Sequence, residues 1–166
     1  MSARPLKAFF ALAAAASLAL AAAPARAATD PDPSVWTDLS KTYDATSAYA
    51  YEPFGVADRY VRTDDCVANP PEGGMGYHYV KKKNIGSLDP AAPAALLYED
   101  RGDGKRRLVA VEWVVADTGQ ATPKLFGQTF QKNELPGHFT LHAWLYKPNP
   151  RGLFHSWNPR VTCPAP

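Results

Sequence analysis

Three side chains of this sequence have the types needed for metal or acid–base chemistry: His78, Glu112 and His142. Glu112 lies in a run of Val, Ala and Trp, where a buried carboxylate without a partner costs several kcal/mol. Two imidazoles and one carboxylate suit Zn, Cu, Fe or Mn, with an open position for a bound water. Met75 would add a soft ligand and favour copper. The sequence therefore offers a candidate site for a divalent transition metal.

The same residues allow two other interpretations. In the first, Glu112 and His142 are the base and acid of an enzyme, with or without a metal. In the second, Glu112 pairs with His142 or with an arginine such as Arg160 and only completes a polar core. The sequence has neither H-x-H nor H-E-x-x-H, so no metal motif decides between these interpretations. His138 and His155 are expected to be surface or loop residues without a special role.

Strand parity predicts which way these side chains point. In the segment from His138 to Tyr146, the predicted core face carries Phe139, Leu141, Ala143 and Leu145. The opposite face carries His142 and Trp144 together with His138, Thr140 and Tyr146. Such a face is typical of a cleft lining, or of a sheet face half-covered by a helix.

The segment from Arg107 to Ala116 is the clearest strand of the chain. One face is predicted to carry Val109, Val111, Trp113 and Val115, and the other Leu108, Ala110, Glu112 and Val114. If the strands that carry His78, Glu112 and His142 are neighbours, these side chains converge. We expect a ligand-binding cleft lined by His78, Glu112, His142 and Trp144.

The remaining elements predict an α+β fold. Ser34 or Asp32 could cap a helix over about 35–48, and Pro53 and Gly55 would prevent a helix after it. The predicted apolar stripe of this helix consists of Val35, Trp36, Leu39 and Tyr43. Glycine and proline mark a turn at 69–74 and a hairpin at 101–105, whereas 124–130 could be a loop or an edge segment. Short strands are expected at 77–80 and 95–98. We expect an N-terminal helix packed on a curved antiparallel sheet or small β-barrel.

The first 27 residues resemble a signal peptide. Arg4 and Lys7 precede an apolar run from Ala8 to Ala23, and Ala25-Arg26-Ala27 is an A-x-A cleavage site. The expected organisation is a signal peptide at 1–27, a flexible leader at 28–34 and one globular domain at 35–166. The protein is predicted to be exported, to the periplasm or the extracellular space.

Charge argues against two classes of partner. The whole chain has 18 basic and 16 acidic residues. Cleavage of the leader would remove Arg4, Lys7 and Arg26 and no acidic residue, which leaves a net charge of about −1. This gives no electrostatic case for nucleic acid or for a membrane surface once the leader is removed.

Cys66 and Cys163 are the two cysteines of the chain. An even number in an exported protein predicts one disulfide, which would tie the C-terminal tail to the start of the sheet. The alternative, two metal thiolates, lacks a C-x-x-C spacing.

Several segments between Cys66 and Cys163 resemble a family of small exported bacterial proteins of unassigned function. They are Gly74-Met75-Gly76-Tyr77-His78-Tyr79, Leu96-Leu97-Tyr98-Glu99, Val111-Glu112-Trp113, Leu125-Phe126-Gly127-Gln128, Leu141-His142-Ala143-Trp144-Leu145 and Asn149-Pro150-Arg151-Gly152-Leu153-Phe154 to Trp157-Asn158-Pro159. The resemblance implies no activity. It does imply that His78, Glu112, His142 and Trp144 lie inside the shared motifs, while His138 and His155 lie outside them.

Three functional hypotheses follow from the sequence. The first is an exported binding protein whose aromatic and histidine-lined cleft holds a small ligand or a metal ion. The second is an enzyme that uses a metal or the Glu112–His142 pair. The third is a structural or interaction protein with a satisfied polar core.

Overall fold

A computed structural model of the protein describes residues 32–132 and 134–164. The predicted signal peptide lies outside these residues, as do the first four residues of the predicted leader. The helices are α1 (Pro33–Thr46) and α2 (Glu52–Ala57), with 3₁₀ turns at Ser47–Ala50 and Lys82–Asn84. The strands are β1 (Cys66–Asn69), β2 (Gly73–Val80), β3 (Ala95–Asp100), β4 (Arg106–Ala116), β5 (Lys124–Leu125), β6 (Gln128–Thr129), β7 (Gln131–Lys132) and β8 (His138–Ala143).

Six strands form one antiparallel sheet in the order β1-β2-β3-β4-β8-β7. The sheet curls strongly into a half-barrel, and the N-terminal helix packs on it, so the predicted α+β architecture is confirmed. Strands β5 and β6 form a separate small hairpin in the segment predicted to be a loop or edge. Strand β8 ends at Ala143, three residues before the predicted end.

Helix α1 begins two residues before its predicted start. The Asp32 side chain accepts a hydrogen bond from the Ser34 amide, and Pro33 occupies the first turn, where its missing N–H is no loss. Val35 and Leu39 are buried in the cluster that holds Leu141. The helix therefore covers the Leu141 face of the sheet, not the His142 face.

The predicted apolar stripe of α1 was too wide. Trp36 and Tyr43 are each about half exposed. Only the part of the helix that faces the sheet is buried. The exposed ring of Tyr43 stacks on the ring of Tyr146.

The two faces of the sheet carry two apolar clusters. The larger lies under α1 and contains Tyr79, Tyr98, Val111, Trp113 and Leu141, among others. The smaller lies on the opposite face and contains Met75, Ala95, Leu97, Val109, Ala110, Trp144 and Val161.

A β-bulge corrects the predicted faces of β4. Leu97 pairs with Ala110 and Tyr98 pairs with Leu108, so Val109 is the extra residue. Leu108 therefore joins the cluster under α1, and Val109 joins the opposite one, the reverse of the predicted assignment. Beyond the bulge the predicted alternation holds, because Val111 and Trp113 are buried on the α1 side.

Helix α2 lies where proline and glycine were expected to prevent a helix. Pro53 occupies its first turn, where proline is tolerated. A Cβ at Gly55 would lie only 3.0 Å from Leu96 Cδ1 and from Tyr98 Oη. The absent side chain lets α2 approach β3 closely, which favours glycine despite its low helix propensity.

The C-terminal tail is tied to the first two strands. Cys66 and Cys163 form a disulfide across 97 positions of the chain, as predicted. Gly74 and Asn158 exchange two backbone hydrogen bonds. Gly73 and Gly74, predicted to be in a turn, are the first residues of β2, because pairing with the tail and with β1 extends the strand.

A search of the described helices finds none with the length and hydropathy of a membrane span.

Candidate metal centre

Glu112 and His142 are directly paired residues on β4 and β8. Their side chains share one face of the sheet, as strand parity predicts. His142 is fully buried and Glu112 nearly so. The Oε1 atom of Glu112 lies 3.6 Å from Nε2 of His142. The antiparallel register thus places a carboxylate against an imidazole in the interior.

His78 reaches the same carboxylate from β2, although its strand is not a neighbour of β4. Strand β3 lies between them, and Ala95 of β3 pairs with Glu112. Because alanine is small and the sheet is curled, the His78 side chain can reach over β3. Its Nε2 atom lies 3.6 Å from Oε2 of Glu112, and the His78 and His142 rings meet edge to face.

The three groups are close without being hydrogen-bonded. A distance of 3.6 Å exceeds that of a normal N–H···O bond. Nδ1 and Nε2 of His142 and Nδ1 of His78 are buried and have no hydrogen-bond partner. Buried polar groups in native proteins nearly always have hydrogen-bond partners, and a bound ion is one explanation for groups that lack one.

Burial also shifts the protonation of these groups. It raises the pKa of Glu112 to about 8, and the nearby Glu134 carboxylate adds to the rise. It lowers the pKa of His78 to about 4 and that of His142 to about 3. Near neutral pH, Glu112 therefore holds a proton and both imidazoles are neutral, so each ring has a lone pair available for a cation.

The spacing of the three groups resembles that of metal ligands. One ligand atom from each of His78, Glu112 and His142 lies within 4.8 Å of the other two. Two ligands of a tetrahedral zinc ion, at about 2.0–2.1 Å from the metal, are about 3.3 Å apart. The two 3.6 Å contacts are close to that separation. These contacts involve the two different oxygens of Glu112, so the three side chains would have to move closer together to place three ligand atoms on one ion.

A second carboxylate, that of Glu134, lies close to His142. Oε2 of Glu134 lies 3.8 Å from Nδ1 of His142 and accepts a hydrogen bond from the Thr140 hydroxyl at 2.9 Å. Metal-binding histidines commonly direct their other ring nitrogen at a carboxylate, which fixes the tautomer. Glu134 was not predicted from the sequence because it precedes β8 in a segment without periodicity.

Trp144 packs beside His142 instead of lining the cavity. The two rings lie nearly parallel with centroids 6.4 Å apart, and Trp144 Nε1 donates to the carbonyl of His155. Trp144 is not among the described residues that line the cavity, and its contact with a ligand stays a prediction.

A cavity of about 390 Å³ opens beside the cluster. His78 and Glu112 lie in its wall, while His142 is covered behind them. Met75 also lines it, because a bulge in β2 turns this residue towards His78. The other lining residues are Thr63, Asp65, Val67, Val80, Ile85, Val114, Glu134, Leu135, His138 and Thr140.

The other predicted partners lie elsewhere. Arg160 is exposed at the surface, and among the described residues the basic side chains within 4 Å of the Glu112 carboxyl group are the two histidines. His155 is in the tail, where its Nδ1 lies 3.0 Å from the Trp157 carbonyl. His138 is partly exposed and lies in the cavity wall, on the same face as His142, as strand parity predicts.

Comparison of the chain with protein families finds no family that matches. Comparisons with curated proteins and with solved structures find no significant match either. The resemblance to a family of small exported proteins stays a prediction.

Proposed function

We propose that this protein is an exported binding protein that holds one divalent transition-metal ion through His78, Glu112 and His142. The observation that carries the proposal is the pair of 3.6 Å contacts at which one buried carboxylate lies between two imidazole nitrogens without a hydrogen bond to either. An ion within this group would satisfy all three side chains at once.

Two features support export. The N-terminal sequence has the basic, apolar and A-x-A parts of a signal peptide. The disulfide between Cys66 and Cys163 is typical of proteins in an oxidising compartment.

The other two hypotheses fit the geometry less well. A structural Glu112–His142 pair would need a direct hydrogen bond, and the observed separation is too long for one. The 3.6 Å separation also gives less support to direct proton transfer between Glu112 and His142. The pKa of Glu112, raised to about 8, would nevertheless suit a general acid near neutral pH. Metal binding accounts for both contacts together.

Two histidines and one carboxylate suit zinc, and copper is the main competitor. Met75 in the cavity wall is a soft group that would favour copper if its sulfur took part. The described residues support a zinc or a copper site, and the choice between the two metals depends on Met75.

The test is a competition titration of the chelator-treated protein, prepared without a histidine tag, against a chromophoric zinc indicator. We expect one zinc ion per chain for the wild type. Variants His78→Ala, Glu112→Gln and His142→Ala should each weaken zinc binding by at least about 100-fold, a larger loss than that from supporting groups. His155→Ala is the matched control and should bind zinc like the wild type. Wild-type affinity in all three ligand variants would refute the proposal.

A further inference from the structure

The cavity beside the three candidate metal ligands is large enough for a small molecule. Its volume of about 390 Å³ is in the range of small-molecule sites. His78 and Glu112 lie in its wall. A metal ion held by three protein ligands would therefore direct its fourth coordination position into this space.

The walls of the cavity are mostly apolar. Met75, Val80 and Val114 line its inner part. Three further residues surround the mouth: Val67, Ile85 and Leu135, which are 37%, 40% and 43% exposed. Single exposed apolar residues are ordinary on a protein surface, but several at one opening are typical of a binding site.

The mouth residues come from three separate parts of the chain. Val67 is on β1, Ile85 follows the 3₁₀ turn after β2, and Leu135 precedes β8. The Ile85 segment is fixed to the sheet because the next amide, that of Gly86, donates to the Val114 carbonyl at 2.8 Å. The opening is thus built on the sheet.

Charge narrows the class of ligand. The described residues that line the cavity include neither lysine nor arginine, while Asp65 and Glu134 contribute carboxylates. A divalent ion together with the Glu112 carboxylate would leave one positive charge, which the other two carboxylates outweigh. These two carboxylates would weaken the binding of a negatively charged ligand, whereas they would not repel an uncharged donor.

We propose that the cavity binds a small apolar molecule whose uncharged nitrogen or sulfur atom completes the coordination of the metal. This inference rests on the proposed metal site and adds its ligand class. The donor atom would bind at the ion, and the apolar body would replace water between Met75 and the mouth residues.

The probes are imidazole, 4-phenylimidazole and phenylacetate, added to the full-length, tag-free protein loaded with cobalt(II). Changes in the visible spectrum of cobalt report a donor atom that enters its coordination sphere. We expect 4-phenylimidazole to bind at least about tenfold more tightly than imidazole, because its ring buries apolar surface. Phenylacetate, which has a similar ring but a negative charge, should bind more weakly than 4-phenylimidazole.

Two leucines of similar exposure provide the test variant and its control. Leu135→Asp at the mouth should reduce the advantage of 4-phenylimidazole over imidazole to less than about threefold, with the cobalt affinity of each variant measured separately. Leu88 is equally exposed, at 44%, and lies outside the cavity wall, so Leu88→Asp should preserve the full advantage.

The outcomes separate the two proposals. Cobalt binding with equal affinity for imidazole and 4-phenylimidazole, or with an advantage that Leu135→Asp leaves intact, would overturn the ligand class alone. Tight binding of phenylacetate would overturn the charge argument. Failure of the protein to bind cobalt, zinc or copper would overturn the metal site and this inference together.

Discussion

Glu112 and His142 face each other as a directly paired couple on adjacent antiparallel strands, yet Oε1 and Nε2 stay 3.6 Å apart. Strand pairing accounts for their proximity. It does not account for the missing hydrogen bond, since the carboxyl group and the imidazole are complementary partners. The same separation recurs between Glu112 and His78 on the other side of the carboxylate. The proposed ion, shared by all three side chains, would explain both distances.

The variant Glu112→Gln distinguishes a role of Glu112 in metal binding from a role in the stability of the fold. Because the pKa of Glu112 is raised to about 8, the carboxyl group of the metal-free protein is neutral at pH 7, and glutamine copies its size and charge. Because unfolded wild type ionises at this position at pH 7 and glutamine does not, we expect the variant to raise the free energy of unfolding of the metal-free protein at pH 7, by up to about 3 kcal/mol. Zinc affinity should nevertheless fall by at least about 100-fold. Chemical denaturation and zinc competition measure the two quantities, and an unfolded variant would show that Glu112 is needed for the fold itself.

The stability of the metal-free protein should depend on pH in a way that reports all three groups. Their pKa values are about 4 for His78 and about 3 for His142, below the ordinary 6.5, so the histidine contribution is complete above pH 6.5 and is lost as pH falls through those values. The sign for Glu112 is opposite. Its pKa is raised from 4.5 to about 8, so its contribution is complete below pH 4.5 and is lost as pH rises to about 8.

The combined contribution of these three groups to the free energy of unfolding is greatest near pH 6.5. Between pH 6.5 and 8 only Glu112 still titrates, and we expect the free energy of unfolding to fall by about 1–2 kcal/mol. Urea denaturation of the chelator-treated protein at several pH values measures this. Glu112→Gln should lack the decline. A decline that persists in the variant would mean that another group causes it.

Reduction of the Cys66–Cys163 disulfide should destabilise the protein strongly. The bridge spans 97 positions and ties β1 to the tail. Chain-entropy arguments give a loop of this size about 4–5 kcal/mol of stabilisation. Denaturant unfolding of the Cys66→Ser/Cys163→Ser variant measures the loss, and thiol titration of the denatured, unreduced protein should find no free cysteine. Two reactive thiols would contradict the bridge.

The core under α1 should respond to truncation. Val111 and Leu141 are fully buried on that face. Val111→Ala and Leu141→Ala should each lower the free energy of unfolding by about 2–4 kcal/mol, through lost burial and a cavity. Leu88→Ala, at an exposed site, should change it by less than about 0.5 kcal/mol. Unchanged melting temperatures for both core variants would contradict the assignment of the faces.

The alternation of side chains along β4 and β8 was readable from the sequence, and it correctly placed Glu112 and His142 on the face opposite Val111 and Leu141. The bulge at Val109 was not readable, because an extra residue in a strand leaves the local pattern apolar on both sides. Whether His78 lies close to Glu112 depends on the order of the strands in the sheet. Periodicity does not reveal strand order, and β3 in fact lies between β2 and β4.

The parts of the site contributed by loops also escaped prediction. Glu134, Ile85 and Leu135 lie in segments without a repeating pattern, and only the folded sheet brings them to one cavity. Met75 is a related case. Strand parity opposes Met75 to His78, but the bulge turns it to the same side. That bulge requires Gly76 at a φ of 94°, where a Cβ would lie 2.2 Å from the Tyr98 carbonyl oxygen.

The central claim is most directly tested by the metal content of the protein itself. The full chain is expressed without a histidine tag, purified without chelators, and analysed by elemental mass spectrometry alongside Glu112→Gln. The metal site predicts about one zinc or copper ion per wild-type chain and a small fraction of that in the variant. A wild-type protein that carries no transition metal, and takes up none after equilibration with zinc and copper, would contradict the account.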